Sequence, residues 1–167
     1  MQHNLFNSNK IKIDRSEVSG RGVFAKEDIK SGSLLEQCHF IIPEKKHGGK
    51  DENLTRYMFC FPEKGKDKEI QKEKARMDMA KLLSYNEEFK DKADSILELG
   101  YEKINNLINY AVVLGHGMIY NHSNEPNVGF KFNQEDFCFD YYTIQDISKD
   151  EELLINYGNI DTRTDLK

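Results

Sequence analysis

Two segments near one end of the chain concentrate the residue types that chemistry uses. The first, Asn121-His122-Ser123-Asn124-Glu125-Pro126-Asn127, crowds short polar side chains and a proline together, a composition that disfavours ordinary helix or strand. Asn121 and His122 in succession bring an amide and an imidazole, with donors and acceptors, into a tight space. The second, Glu151-Glu152-Leu153-Leu154-Ile155-Asn156-Tyr157-Gly158, is a strand-like run that ends in a tyrosine followed by glycine. Near the other end, Ser19-Gly20-Arg21-Gly22-Val23-Phe24 offers a turn where only glycine lets backbone approach closely without steric penalty. Each fragment alone is weak, because a surface turn, a tyrosine closing a strand and a Gly-x-Gly pair are all ordinary. Their order and spacing along one chain give them meaning.

Taken together, the three segments resemble the signatures of the SET-domain protein-lysine methyltransferases. The resemblance implies methyl transfer from S-adenosylmethionine to a lysine side-chain nitrogen, a direct displacement at carbon. A lysine of pKa about 10.4 is almost wholly protonated at neutral pH, so the nucleophile must first lose its proton. A nearby sulfonium and a desolvated channel both disfavour the ammonium form, so no strong base is obligatory. What remains is alignment of nitrogen, methyl carbon and sulfur, which contributes several kcal/mol.

The same resemblance assigns roles. Tyr157 is expected where the lysine channel meets the cofactor, with its hydroxyl near the transferred methyl; it is the candidate catalytic residue and a cofactor contact. Asn121 and His122 are expected to bind the cofactor, largely through main-chain bonds to adenine and a side-chain bond from the asparagine. Ser123, Pro126 and Asn127 would shape a knot-like crossing. Arg21 and Gly22 would lie against the methionine portion, mainly through their main chain. Tyr57, leading Tyr57-Met58-Phe59-Cys60-Phe61, resembles a residue that lines the lysine channel in some relatives. Aromatic walls suit an aliphatic stem ending in an amine, and core packing suits Tyr57 as well. Tyr120, Phe130, Tyr141 and Tyr142 read as core first. Three positions depart from the family pattern: Met118 replaces a frequent basic residue, Asp150 a glycine and Asn156 an aspartate.

The elements that must position these residues follow from size and patterning. At 167 residues the chain is long enough for one domain with a real core and too short for two ordinary ones. Short alternating segments predict strands at 10–14, 23–25, 34–42, 57–61, 111–114, 129–132, 137–144 and 153–155. Between about 63 and 109 proline disappears and lysine, glutamate, alanine and leucine dominate. Ile70, Ala75, Met77, Ala80, Leu82 and Leu83, and then Phe89, Ala93, Ile96, Leu97 and Leu99, recur at roughly helical spacing and predict two or three helices. The expected architecture is mainly β with a helical insertion (α+β). The resemblance implies a β-clip-like SET fold of several small curved sheets around a knotted C-terminal segment. The expected organisation is a single SET domain over 1–167, with the insertion at about 63–109 and a polar tail at 159–167.

Composition narrows the partners. A net charge of -5 gives little attraction to phosphate, so no direct nucleic-acid binding is expected, and it suits a basic lysine-bearing protein or peptide. No apolar run reaches bilayer length, and residues 1–12 lack the pattern of a secretory signal. The expectation is a soluble intracellular protein, cytoplasmic or nuclear, without membrane association. Cys38, Cys60 and Cys138, widely spaced and odd in number, read as free thiols rather than as a disulfide framework or zinc cluster. His116 between two glycines has no partner ligands at workable spacing, so no metal is expected. Without the cysteine-rich modules that flank many relatives, the chain resembles a minimal SET domain, for which a homodimer is one way to complete the substrate groove. The competing reading is a SET-like module that binds peptide or cofactor without turnover. The joint presence of Asn121, His122 and Tyr157 favours catalysis.

Overall fold

The computed structural model describes residues 5–43 and 58–157. Two compact units make up the fold, Met1–Phe59 with Ala111–Lys167, and Cys60–Tyr110. In chain order the elements are β1 (Ile11–Arg15), β2 (Arg21–Ala25), β3 (Leu34–Cys38), β4 (Phe40–Ile41), β5 (Phe59–Pro62), α1 (Asp67–Leu83), α2 (Lys90–Leu107) and β6 (Ile108–Val113). A 3-10 turn (Gly115–Met118), β7 (Asn121–His122), β8 (Val128–Asn133), β9 (Cys138–Thr143) and β10 (Glu152–Ile155) follow. Among the described residues the result is mostly β, in several small sheets, with two helices.

The larger unit is organised by β10. This strand lies antiparallel to β2, with Leu153 opposite Val23, and parallel to β7, with Leu154 opposite Asn121 and Ile155 opposite His122. The sheet order β1-β2-β10-β7 therefore brings the Gly-x-Gly segment, the Asn-His pair and the approach to Tyr157 side by side. Val23, Leu153 and Ile155, three apolar residues of these strands, are fully buried. Burial of a side chain of this kind is worth about 1.5–3 kcal/mol. The β1–β2 hairpin is closed by the Ser16 N–H donating to the Gly20 carbonyl at 3.1 Å, with Gly20 in the left-handed region at φ 50°.

A second sheet, β3-β9-β8, backs the site. Its central strand β9 is buried on both faces rather than alternating, with Cys138, Phe139, Asp140, Tyr141 and Thr143 all inside. The buried Asp140 carboxylate is satisfied by Gln37 Nε2 at 3.0 Å and Asn133 Nδ2 at 3.2 Å. Burial first, and then the charge of Asp140, push the Cys138 thiol up to about 12. Cys38 and Cys138 are buried free thiols, and Cys60 is a half-buried one.

Two sequence expectations need correction here. The run 34–42 is not one strand: β3 pairs with β9, whereas β4 pairs with β6, Phe40 opposite Val113 and Ile41 opposite Val112. The chain breaks at His39 because the Phe40 ring enters an aromatic cluster, 5.0 Å from Phe137 and 5.5 Å from Phe139. Asn121-His122, read as irregular, is a short parallel strand because β10 supplies its partner.

In the Cys60–Tyr110 unit, α1 and α2 pack through Ile70, Met77, Ile104 and Ile108, with Leu97, Tyr101 and Leu107 against them. Gly100 is a packing requirement, since a Cβ there would lie 2.5 Å from Met77 Cγ. Leu82, Leu83 and Leu99, counted in the apolar stripe from spacing, are exposed. α2 ends at Leu107, where Ile108 turns extended and begins β6, three residues before the strand expected at Ala111.

Candidate active site

Asn121 is the hub. Its side chain is nearly buried, and Nδ2 lies 2.8 Å from Glu152 Oε1, 3.0 Å from Ser16 Oγ, 3.1 Å from the Ser19 carbonyl and 3.2 Å from the Arg21 carbonyl. An amide nitrogen carries two hydrogens, so these acceptors share them around one point. The Ser16 hydroxyl donates to Glu152 Oε2 at 2.9 Å and accepts the Val18 N–H at 2.9 Å. Gly22 is buried against this cluster: a Cβ there would lie 2.1 Å from Glu152 Oε1 and 3.2 Å from Asn121 Nδ2. Arg21 itself is exposed, and its carbonyl is the part engaged. The first and third segments are thus joined through β10 and Asn121, with Glu152 and Ser16 as connectors.

Asn127 fastens the loop that follows. Its Oδ1 accepts the Leu154 N–H at 2.7 Å, while Nδ2 donates to the Glu152 carbonyl at 2.8 Å and to Glu151 Oε1 at 3.0 Å. The Ser123 N–H donates to the Ile155 carbonyl at 2.9 Å. A buried amide with both ends paired to β10 acts as a strand partner, and such satisfied polar groups fix register.

His122 and Tyr157 form the other half. The Tyr157 N–H donates to His122 Nδ1 at 3.1 Å, so Nδ1 carries the lone pair and the ring hydrogen sits on Nε2, directed to Asn124 Oδ1 at 3.2 Å. The two rings lie 5.2 Å apart. The Tyr157 hydroxyl donates to the Tyr120 carbonyl at 2.6 Å. Tyr157 as a residue is 40% exposed, and the bond made by its hydroxyl is partly buried. Below it, the Tyr120 ring stacks on Tyr141 at 5.0 Å and 5°. The Tyr141 hydroxyl donates to the Gly117 carbonyl at 3.3 Å. Burial pushes both of these phenols well above the ordinary tyrosine value, with the neighbouring Glu36 adding to it.

The structure therefore brings Arg21, Gly22, Asn121, His122 and Tyr157 into one hydrogen-bonded region. Tyr57 lies outside the described residues. Asp150 adopts φ 64°, a conformation that glycine takes freely, and its Oδ1 accepts Lys12 Nζ at 3.1 Å. Sequence reasoning missed Ser16 and Glu152. Nothing in the sequence distinguishes Glu152 from Glu151, and only the pairing of β10 decides which carboxylate faces Asn121.

Comparison with known proteins places this geometry. A sequence model of the SET domain matches residues 20–158. A protein of Schizosaccharomyces pombe, named histone-lysine N-methyltransferase, H3 lysine-37 specific, is 40% identical over 48 residues. That match spans 29% of this chain and 33% of the relative, so it covers about a third of the relative's length. In three dimensions the chain is similar to a Plasmodium falciparum protein solved as a candidate histone methyltransferase, with a TM-score of 0.56 at 23% identity. The overlap covers 91% of this chain and 96% of that one, and at this identity the likeness concerns the fold alone.

Proposed function

The chain belongs to the SET-domain family, and from that premise we propose that it is an S-adenosylmethionine-dependent protein-lysine N-methyltransferase. The observation that carries this reading is the single network joining the three segments: Asn121 to the turn of Arg21 through its amide, and His122 to Tyr157 through its imidazole. In this reading 1–167 is one catalytic domain with a helical insertion at about 63–109 and a tail at 159–167.

The residues present fit the cofactor. The groups gathered at the site are phenol oxygens, main-chain carbonyls, an amide and the Glu152 carboxylate, a set that favours a cationic sulfonium over an anion. Arg21 and Gly22, through their main chain, and Asn121 and His122 would hold it. When bound, S-adenosylmethionine supplies a methyl carbon on a positively charged sulfur, open to displacement by an amine lone pair. Tyr157 orients the incoming lysine nitrogen: its hydroxyl hydrogen is committed to the Tyr120 carbonyl, so its oxygen accepts from the amine and aims the lone pair. Beside the positive charge of a bound sulfonium the ammonium form is disfavoured, so the lysine would give its proton to solvent before its lone pair is used. With a net charge of -5, the protein favours a basic protein or peptide segment around the target lysine.

Incubation with labelled S-adenosylmethionine and a library of lysine-bearing peptides tests the proposal. Label transferred to a lysine nitrogen is expected. Cofactor binding without transfer to any lysine would instead identify a binding module. Asn121→Ala is expected to weaken cofactor affinity about tenfold or more, because it removes a contact and leaves Glu152 Oε1 without its 2.8 Å donor. Calorimetry returning the wild-type dissociation constant would remove Asn121 from the binding site.

A further inference from the structure

One buried carboxylate lies outside the network described so far. Glu36 on β3 is 2% exposed, because a bulge between Leu34 and Glu36 turns both Leu35 and Glu36 inward. Its Oε2 accepts the main-chain N–H of His116 at 3.3 Å and faces His116 Nδ1 at 3.0 Å. Glu36 Oε1 and the Tyr120 hydroxyl are both buried and close no hydrogen bond of sound geometry. A buried carboxylate is costly even with the His116 N–H, His116 Nδ1, the Tyr120 hydroxyl and the Cys38 thiol around it, so packing alone gives no reason for a glutamate here.

What the carboxylate grips is informative. The 3-10 turn at Gly115–Met118 is closed by the Ile119 N–H donating to the His116 carbonyl at 2.7 Å. This short segment supplies the Gly117 carbonyl to the Tyr141 hydroxyl at 3.3 Å and the Tyr120 carbonyl to the Tyr157 hydroxyl at 2.6 Å. Gly117 also leaves no slack, since a Cβ there would lie 2.8 Å from the Tyr141 hydroxyl. Displacing His116 displaces both carbonyls.

We infer that Glu36 and His116 are positioning residues, a buried clamp on the Gly115–Tyr120 segment whose carbonyls aim the hydroxyls of Tyr141 and Tyr157. The inference rests on the reading of Tyr157 as the residue beside the transferred methyl. The clamp is tightest with His116 protonated, when the bond to Glu36 joins two charges. The hydrogen bond to Glu36 holds the His116 pKa above the ordinary imidazole value, against burial and the charge of Lys26. Cys38, Tyr120 and Tyr141 complete the titratable surroundings of Glu36, and burial pushes all three upward. Because the folded value for His116 exceeds the unfolded one, the contribution of the clamp is complete below the unfolded imidazole value of about 6.5. It is lost as pH rises through the folded value.

An NMR titration of the His116 imidazole, in the wild type and in Glu36→Gln, reads the clamp directly. The expected wild-type midpoint lies above the ordinary value and falls by about one pH unit in Glu36→Gln, a tenfold change in proton affinity. Glu36→Gln is expected to lower kcat about 10- to 100-fold with KM for the cofactor within about twofold. His116→Asn, which keeps a donor near the Nδ1 position, is expected to turn over about tenfold faster than His116→Ala. A His116 midpoint unchanged by Glu36→Gln, or a Glu36→Gln variant with wild-type kcat, overturns the proposal. Should Glu36→Gln fail to fold, a wild-type midpoint at or below the ordinary value overturns it unaided. The titration needs no methyl transfer, so failure of the clamp and failure of the methyltransferase reading are separate results.

Discussion

Tyr157→Phe is expected to lower turnover about 10²- to 10³-fold while leaving cofactor affinity within about twofold, the scale on which loss of one oriented polar group at a reacting centre acts. The substitution is clean in this structure. The Tyr157 N–H keeps its bond to His122 Nδ1 at 3.1 Å, and a phenylalanine ring keeps the 5.2 Å packing against the imidazole. The lost element is the hydroxyl that donates to the Tyr120 carbonyl at 2.6 Å. Tyr157 is 40% exposed and the bond is only partly buried, so the stability change is expected to stay on the order of 1 kcal/mol. Turnover and folding therefore separate. Steady-state kinetics, calorimetry with the cofactor and a thermal melt on the same preparation check all three parts. A variant with wild-type kcat would assign the hydroxyl a structural role only.

Much of the fold is legible in the sequence wherever one face of a strand is wet. β1 shows it: Ile11 and Ile13 alternate with polar residues, and the strand at Ile11–Arg15 lies within one residue of the expected 10–14, whereas β2 begins at Arg21, two residues before the expected 23, because Arg21 and Gly22 pair with β1 instead of breaking the strand. The pattern fails where both faces are covered. β9 buries Phe139, Asp140 and Tyr141 in succession, and the bulge in β3 buries Leu35 and Glu36 together, so neither inward-facing acid announces itself. The site shows the same division. Asn121, His122 and Tyr157 are legible because residue type and order carry them. The Ser16 hydroxyl and the Glu152 carboxylate are not, because their importance comes from the pairing of β10 with β7 and with β2, the latter a contact between residues more than a hundred positions apart. His122 illustrates a subtler limit. The resemblance implies a cofactor contact through its main chain and is silent on the ring, and the imidazole is engaged in holding the Tyr157 backbone and the Asn124 side chain. Residue type identifies a polar group as significant, but only the fold says what that group faces.

Gly22 turns that point into the second large prediction. Its backbone lies outside the left-handed region, so alanine meets no conformational penalty there, and any loss must come from space. The space is absent: the new Cβ would lie 2.1 Å from Glu152 Oε1 and 2.8 Å from its Cδ. The Glu152 side chain must move, and its Oε1 then leaves Asn121 while its Oε2 leaves Ser16. Hydrogen bonds to a charged group contribute about 1.5–3 kcal/mol each, and their partial loss with overpacking is expected to cost about 2–4 kcal/mol in stability. For a chain of this size that is a fall in Tm on the order of 10 °C. Cofactor affinity is expected to fall at least about tenfold, because Asn121 loses its anchor. Gly20→Ala is the matched control: Gly20 sits at φ 50° with nothing within 4 Å, so its loss is conformational and about 1 kcal/mol. Adding Glu152→Asp to Gly22→Ala shortens the carboxylate by one methylene and relieves the contact. A coupling energy of about 1 kcal/mol or more in that double-mutant cycle is expected from calorimetric or denaturant unfolding. Strict additivity of the two substitutions would mean that Gly22 is glycine for a reason other than the carboxylate beside it.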